Sequence, residues 1–385
     1  MIIMFDINDY FESLPYNIIN INISNKNLTS IPDLQKFKNL KKINCSYNKL
    51  TSLPELNENL IELDCSYNNL TNLPKLNKKL RILKCCYNKL SKLPKLNKKL
   101  IKLICCHNNL NNLPKLNTNL KELDCSYNNL IIIHALNKNL KNFYCNNNKI
   151  NTLPIFTKKL KIINCSYNEI CVLPDLDNNV RIINCSYNKL TSLSILNHKL
   201  RRLSCNNNLL SYLPDLNKKL IQLICHNNNL IILPIFNERL ENVDCSYNNL
   251  TSLSISNENL KELYCNNNKI NYLSNVNSNL KKLYCNRNQL SYLPELNIKL
   301  DEICVSNNIV YELICTNIFL LRTNINKLNN FRFLYYCLKF KNQFRKWLWE
   351  KIREPKIIKH YHPNYLIYLD DEEDLDIFLD KWIDK

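Results

Sequence analysis

The chain has 385 residues, a formal charge of +19, nineteen cysteines, a single alanine (Ala135) and no glycine. Phosphate-cradling loops, dinucleotide fingerprints, kinase loops and the nucleophile elbow all need glycine for positive φ or close backbone approach, so none can be written here. The basic balance points toward an acidic partner or, more simply, toward lysine accumulated on a solvated surface by codon bias.

The N-terminus, MIIMFDINDYFESLP, lacks a basic leader segment and meets Asp6 at once, which does not suit a secretory signal. Residues 5–13, FDINDYFES, fit a short amphipathic helix before Pro15. The expectation is an N-terminal cap over 1–27 on a protein of a reducing cytoplasm, its cysteines free thiols.

From residue 28 to about 310 the sequence repeats every twenty residues. Cysteine recurs without a miss on thirteen successive rungs, from Cys45 and Cys65 through Cys285, and the next rung has Val305. Asn follows three residues later, from Asn48 to Asn308, then Leu or Ile, then Leu-Pro as in Leu53-Pro54. The first unit is two residues longer than the rest. The unit reads LxxLxCxxNxLxxLPxLNxx. Leu63 and Cys65 alternate with Glu62, Asp64 and Ser66 as a strand with one apolar face. A lone strand cannot bury that face; stacking in a parallel sheet can. About fourteen rungs at ~4.8 Å give an array roughly 65–70 Å long.

This unit resembles the leucine-rich repeat LxxLxLxxNxL with Cys at its sixth position, in the short Leu-Pro form of bacterial effectors. The biased composition is similar to that of leucine-rich repeat proteins of giant DNA viruses of amoebae. The resemblance implies a solenoid with a parallel β-sheet on the concave face and an extended, coil-like convex face. It also implies a buried Asn ladder and a protein partner on the concave side. Candidate contacts there are Asp64, Ser66, Tyr67, Lys84, Asp124, Tyr127, Tyr144, Arg202, Asp244, Tyr264 and Tyr284. Tyr and Ser are common on adaptable binding surfaces.

From Cys65 to Lys121 there are thirteen Lys or Arg and no acidic residue. Lys75, Lys78, Lys79, Arg81, Lys95, Lys98, Lys99 and Lys102 recur on successive rungs, as a phosphate-tracking stripe would. Aromatics for base stacking are thin in that span, so nucleic acid is the second reading. Cys86, Cys106 and His107 offer three soft ligands without a fourth, short of a zinc site. The cysteine column itself reads as packing, since Cys is a small, frequently buried hydrophobe.

Periodicity ends past Val305. Residues 311–385 read as a helical C-terminal tail, with helices over 326–353 and 370–380. The apolar run Ile309–Leu321 is broken by Glu312 and Asn317 and is too short to span a bilayer. Similar bacterial repeats often precede a ubiquitin-ligase domain with catalytic Cys-x-Asp. Here Cys315 and Cys337 stand before Thr-Asn and Leu-Lys, so a ligase is not expected. The expected function is a non-enzymatic protein-binding module of a viral protein, with no cofactor. A basic nucleic-acid-associated protein, or an adaptor for a host ubiquitin ligase, is the alternative.

Overall fold

The computed structural model of the chain describes residues 6–309, except positions 177, 178, 256, 275, 295, 297 and 298. Beyond them it describes Thr323, Asn326, Lys327, Asn329, Asn330, Lys346 and Trp349–Arg353. The chain forms two units, Met1–Ile314 and Cys315–Lys385.

The first element is a helix, α1 (Ile7–Ser13). Asp6 caps it, its carboxylate accepting from the Asn8 and Asp9 backbone N–H groups at 2.7 and 3.3 Å. Its apolar anchor is Phe11, which packs edge-to-face on Phe37 with ring centroids 5.6 Å apart. Both rings are fully buried, worth about 2–3 kcal/mol each.

A parallel sheet of fifteen strands follows, in chain order from Asn20–Asn22 to Glu302–Cys304. Asn20 pairs with Lys42, an offset of 22 residues; from Lys42↔Glu62 onward the offset is 20. The longer first unit is thus absorbed before the regular stack begins. Each full strand is three residues, with its middle side chain inward and the two flanking ones outward. Leu60, Leu63, Cys65 and Leu70, and their equivalents through Leu280, Leu283, Cys285 and Leu290, form buried columns. The return segments are extended coil with a tight turn before each strand, as where Leu60 N–H donates to Asn57 C=O at 3.1 Å. A two-stranded pair, Ser252–Leu253 with Tyr272–Leu273, and the bridge Ile132↔Thr152 are the ladder contacts described there. The chain is therefore a β-solenoid of the expected class.

Two asparagine ladders hold the rungs. Asn68 donates to the carbonyls of Cys45, Cys65 and Ser66 at 3.0, 3.1 and 3.3 Å. Its Oδ1 accepts from the Leu50 backbone N–H at 3.0 Å. The pattern repeats through Asn308. Each amide thus satisfies backbone groups of two rungs that would otherwise be buried unpaired. The second ladder is partial and lies in the Leu-Asn of the return segment, at Asn57, Asn77, Asn97, Asn257 and Asn277. Asn77 donates to Asn57 C=O and Leu60 C=O at 2.6 and 3.0 Å. Its Oδ1 accepts from Lys79 and Leu80 N–H. The buried amide nitrogens of Asn117, Asn137, Asn197, Asn217 and Asn237 meet no acceptor among the described residues.

The cysteine column packs between these ladders with no exposure. Its thiols point at the neighbouring rung, as where Cys45 Sγ donates to Asp64 C=O at 3.4 Å. Burial pushes the thiols of Cys45, Cys165 and Cys205 up to about 12. One expectation changes. Ser66 does not continue the outward face; the strand ends at Asp64, the chain turns, and Ser66 is buried. Of the tail, Thr323, Asn326, Lys327, Asn329, Asn330 and Lys346 are helical and Trp349–Arg353 form a π-helical turn. The rest of the expected helix over 326–353, and all of that over 370–380, lie outside the described residues.

Two outcomes are expected. Asn128→Ala removes bonds to Cys105, Cys125, Ser126 and Leu110. It should cost about 2–4 kcal/mol in urea unfolding, whereas exposed Asn109→Ala should stay within about 0.5 kcal/mol. Equal losses would refute the ladder's role. In site-resolved thiol labelling of native protein, exposed Cys171 should react first. The column should lag it on the order of a hundredfold or more, until denaturant is added.

Candidate binding face

The outward strand positions form two columns on the sheet face. The first carries Lys42, Glu62, Lys102, Glu122, Arg202, Lys282 and Glu302; the third carries Asp64, Lys84, Asp124, Tyr144, Asp244, Tyr264 and Tyr284. The expected contacts Asp64, Lys84, Asp124, Tyr144, Arg202, Asp244, Tyr264 and Tyr284 therefore share this face. Tyr67 and Tyr127 lie past the strand ends.

Much of the charge on the face is internally engaged. Lys84 Nζ sits 3.3 Å from Asp64 and 3.7 Å from Glu62, which also pairs with Lys42 at 3.3 Å. Asp64 and Asp124 additionally accept from the Ser66 and Ser126 backbone N–H, closing the turn after the strand. Near the last strand, Tyr284 Oη donates to Glu302 at 2.7 Å and Lys282 pairs with it at 2.9 Å. Hydrogen bonds from Lys282 and Tyr284 hold the Glu302 carboxyl below its usual range. Tyr264 and Tyr284 stack with centroids 5.0 Å apart.

A groove of about 470 Å³ opens across the strand starts of rungs 42 to 142. Its walls carry Ile61, Ile82 and Ile101 together with five cations, Lys42, Arg81, Lys102, Lys121 and Lys141, and the carboxylates Glu62 and Glu122. Lys102 pairs with Glu122 at 2.9 Å. Among the described residues, no ion pair engages Arg81, Lys121 or Lys141. The basic stripe is thereby divided. Arg81 and Lys102 line this groove, while Lys75, Lys78, Lys79, Lys95, Lys98 and Lys99 are exposed along the return segments. Lys79 is tied there to Asn59 Oδ1 at 2.6 Å. Lys121 and Lys141 lie outside the expected stripe; residues 61, 81, 101, 121 and 141 share one column, and the twenty-residue period places them there.

The turn after each strand needs a left-handed residue, and with no glycine the chain uses others. φ is 56° at Tyr47 and Tyr67, 51° at His107 and 55° at Asn147. Such a backbone costs a non-glycine residue about 1–2 kcal/mol. It also throws the side chain outward in register, and Tyr47, Tyr67, Tyr87, His107 and Tyr127 form a continuous ring stack. Successive centroids lie 4.2, 4.2, 4.0 and 3.9 Å apart. Stacked aromatic pairs contribute about 0.5–1.5 kcal/mol each, offsetting part of that cost. Tyr167 and Tyr187 make a second, shorter stack.

His107 is therefore a ring in the stack, and burial between its neighbours holds it below the ordinary imidazole value, opposed by Asp124. This corrects the three-ligand idea for Cys86, Cys106 and His107. Among the described residues no group of three His, Cys, Asp or Glu side chains is placed to hold a metal. Cys86 and Cys106 instead meet each other, with sulfurs 2.7 Å apart. No described helix is long and apolar enough to cross a membrane.

No protein-family model and no curated protein matches the chain. Solved structures do. YopM of Yersinia pestis, a leucine-rich effector protein, is 30% identical with TM-score 0.69, over 75% of this chain and 83% of that one. YopM of Yersinia enterocolitica WA-314 is 29% identical with TM-score 0.60, over 76% and 74%. The functional domain of Listeria monocytogenes InlJ, which includes a cysteine ladder, is 28% identical with TM-score 0.57, over 71% and 68%. With the strand register, the Asn ladders and this likeness together, the chain belongs to the leucine-rich repeat proteins.

Proposed function

We propose that the sheet face binds a protein partner, with the groove over rungs 42 to 142 as its centre. Leucine-rich repeat arrays are protein-interaction modules, and the solved relatives share this architecture. The observation that carries the reading is the groove's composition: half-buried isoleucines beside the cations Arg81, Lys121 and Lys141, which no described carboxylate pairs. Apolar walls suit a buried anchor, and free cations suit an acidic segment around it. The partner is thus an acidic protein surface carrying aliphatic or aromatic anchors. The composition shared with repeat proteins of giant amoebal viruses supports a viral protein meeting that partner in the host cytoplasm.

Nucleic acid is disfavoured by the ring stack. Bases bind aromatic side chains through open ring faces. In the Tyr47–Tyr127 stack those faces cover one another, leaving mainly ring edges to solvent.

Three full-length proteins test the reading as affinity baits in host lysate: wild type, a groove variant (Arg81→Glu, Lys121→Glu, Lys141→Glu) and a return-segment variant (Lys75→Glu, Lys95→Glu, Lys98→Glu). A partner should bind wild type and the return-segment variant alike and lose about tenfold or more affinity for the groove variant. Equal binding by all three overturns the proposal. So does duplex DNA retention that falls about 10³-fold or more between 50 and 200 mM salt and is lost with the return-segment lysines.

A further inference from the structure

The cysteines of this chain divide into two chemical settings. Column thiols are buried and aimed at backbone carbonyls, as where Cys105 and Cys125 donate to Asp124 C=O and Tyr144 C=O at 3.3 and 3.4 Å. Cys86 and Cys106 occupy the next position along the chain. Six other rungs of the cysteine column have serine there, at Ser46, Ser66, Ser126, Ser166, Ser186 and Ser246. In most of them the residue two before is Asn or Asp, and its side-chain oxygen receives the Ser N–H or hydroxyl. Before Cys86 and Cys106 stand Lys84 and Ile104, which offer no such oxygen. The two thiols turn to each other instead.

Their geometry suits a bond. The strands leading to them pair in register, Lys84 opposite Ile104, and the ladder continues past them with Tyr87 N–H donating to Cys106 C=O at 3.0 Å. Cα atoms on adjacent parallel strands lie ~4.8 Å apart, inside the disulfide range. The sulfurs already approach to 2.7 Å. Cys86 is buried, whereas Cys106 is half-exposed, so an oxidant reaches the pair from the Cys106 side.

We propose that Cys86 and Cys106 are a redox-modification site, a vicinal thiol pair that hydrogen peroxide closes into a disulfide between adjacent rungs. Cys106 sulfur attacks a peroxide oxygen, the O–O bond breaks, and a sulfenic acid and one water form. Cys86 sulfur then attacks the sulfenic sulfur; the S–O bond breaks and a second water leaves with the thiol proton. Two thiols and one peroxide give one disulfide and two waters. The order follows from access: an oxidant meets half-exposed Cys106 first, and buried Cys86 stands against its sulfur for the second step. A dithiol reductant reverses the bond by exchange.

Full-length reduced protein treated with graded hydrogen peroxide, blocked with N-ethylmaleimide and digested with trypsin without reductant is the test. Peptides 85–89 and 103–115 should appear joined, two hydrogen masses lighter than their sum, and should separate on dithiothreitol. Cys86→Ser and Cys106→Ser install the serine that other rungs carry, so both should fold, and both should lose the joined peptide. Cys86→Ser should leave Cys106 as a sulfenic acid trapped by dimedone. A joined peptide that survives in either variant assigns the bond to Cys85 or Cys105 and overturns the proposal. So does maleimide on both Cys86 and Cys106 at a peroxide dose that oxidises exposed Cys171.

Discussion

The buried asparagine amide is the constraint on which the rest of the molecule depends. At Asn88, three carbonyls, of Cys65, Cys85 and Cys86, take the amide N–H groups, and Leu70 N–H takes the oxygen. Those backbone groups belong to two rungs, so one side chain sets both the turn within a rung and the contact between rungs. Leaving such groups buried and unpaired costs about 1–3 kcal/mol each, which no amount of leucine at the neighbouring positions replaces. To bring the amide under the turn, the residue before it must adopt positive φ, and it does so on every rung from Tyr47 to Asn307. The ring stack on the surface is thus a by-product of an amide in the core.

The same constraint explains what could be read from the letters. A period of twenty with Leu, Cys and Asn at fixed places left one solution, parallel strands stacked in register, and the structure has it from Lys42 to Cys304. What escaped was geometry at the strand ends. Alternation continued one residue too far puts Ser66 outside, because nothing in its identity says that the chain turns after Asp64. The turn itself was silent: its ordinary signal is glycine, and this chain uses tyrosine, asparagine, histidine and arginine in its place. The Leu-Asn of the return was visible in the repeat, yet its role as a second ladder needs the partner carbonyls of the preceding rung to be seen.

The candidate site was legible in part for the same reason. Residues inside the three-residue strands, such as Asp64, Lys84 and Tyr144, fall where alternation puts them. Position does not say which charges are already engaged. Lys84 is held by two carboxylates and Asp64 by a lysine and a backbone N–H, so their charge is mostly spent within the fold. Exposed pairs of this kind contribute about 1 kcal/mol or less to stability, but they decide what is left to attract a partner. In the groove what is left is Arg81, Lys121 and Lys141, one residue outside the strands, where alternation within the strand does not reach.

Cysteine shows how far spacing alone can be trusted. Column and pair cysteines repeat at the same interval and face neighbours across the same ~4.8 Å gap. Their chemistry differs because of what lies two residues upstream and how deep the sulfur sits. Where a core carbonyl is within reach, as for Cys65 beside Lys84 C=O at 3.4 Å, the thiol is a buried weak donor with its ionisation suppressed. Where the strand ends in lysine or isoleucine, the serine that would have closed the turn has no acceptor, and a pair of sulfurs can take its place. In an array whose backbone is the same on every rung, chemistry enters only through such departures from the repeat. Cys86 and Cys106 are such departures, and so are Ile61 and Ile101 in a column that is otherwise mostly basic, as at Lys41, Arg81, Lys121 and Lys141. The same backbone pairing on either side holds those rungs in register.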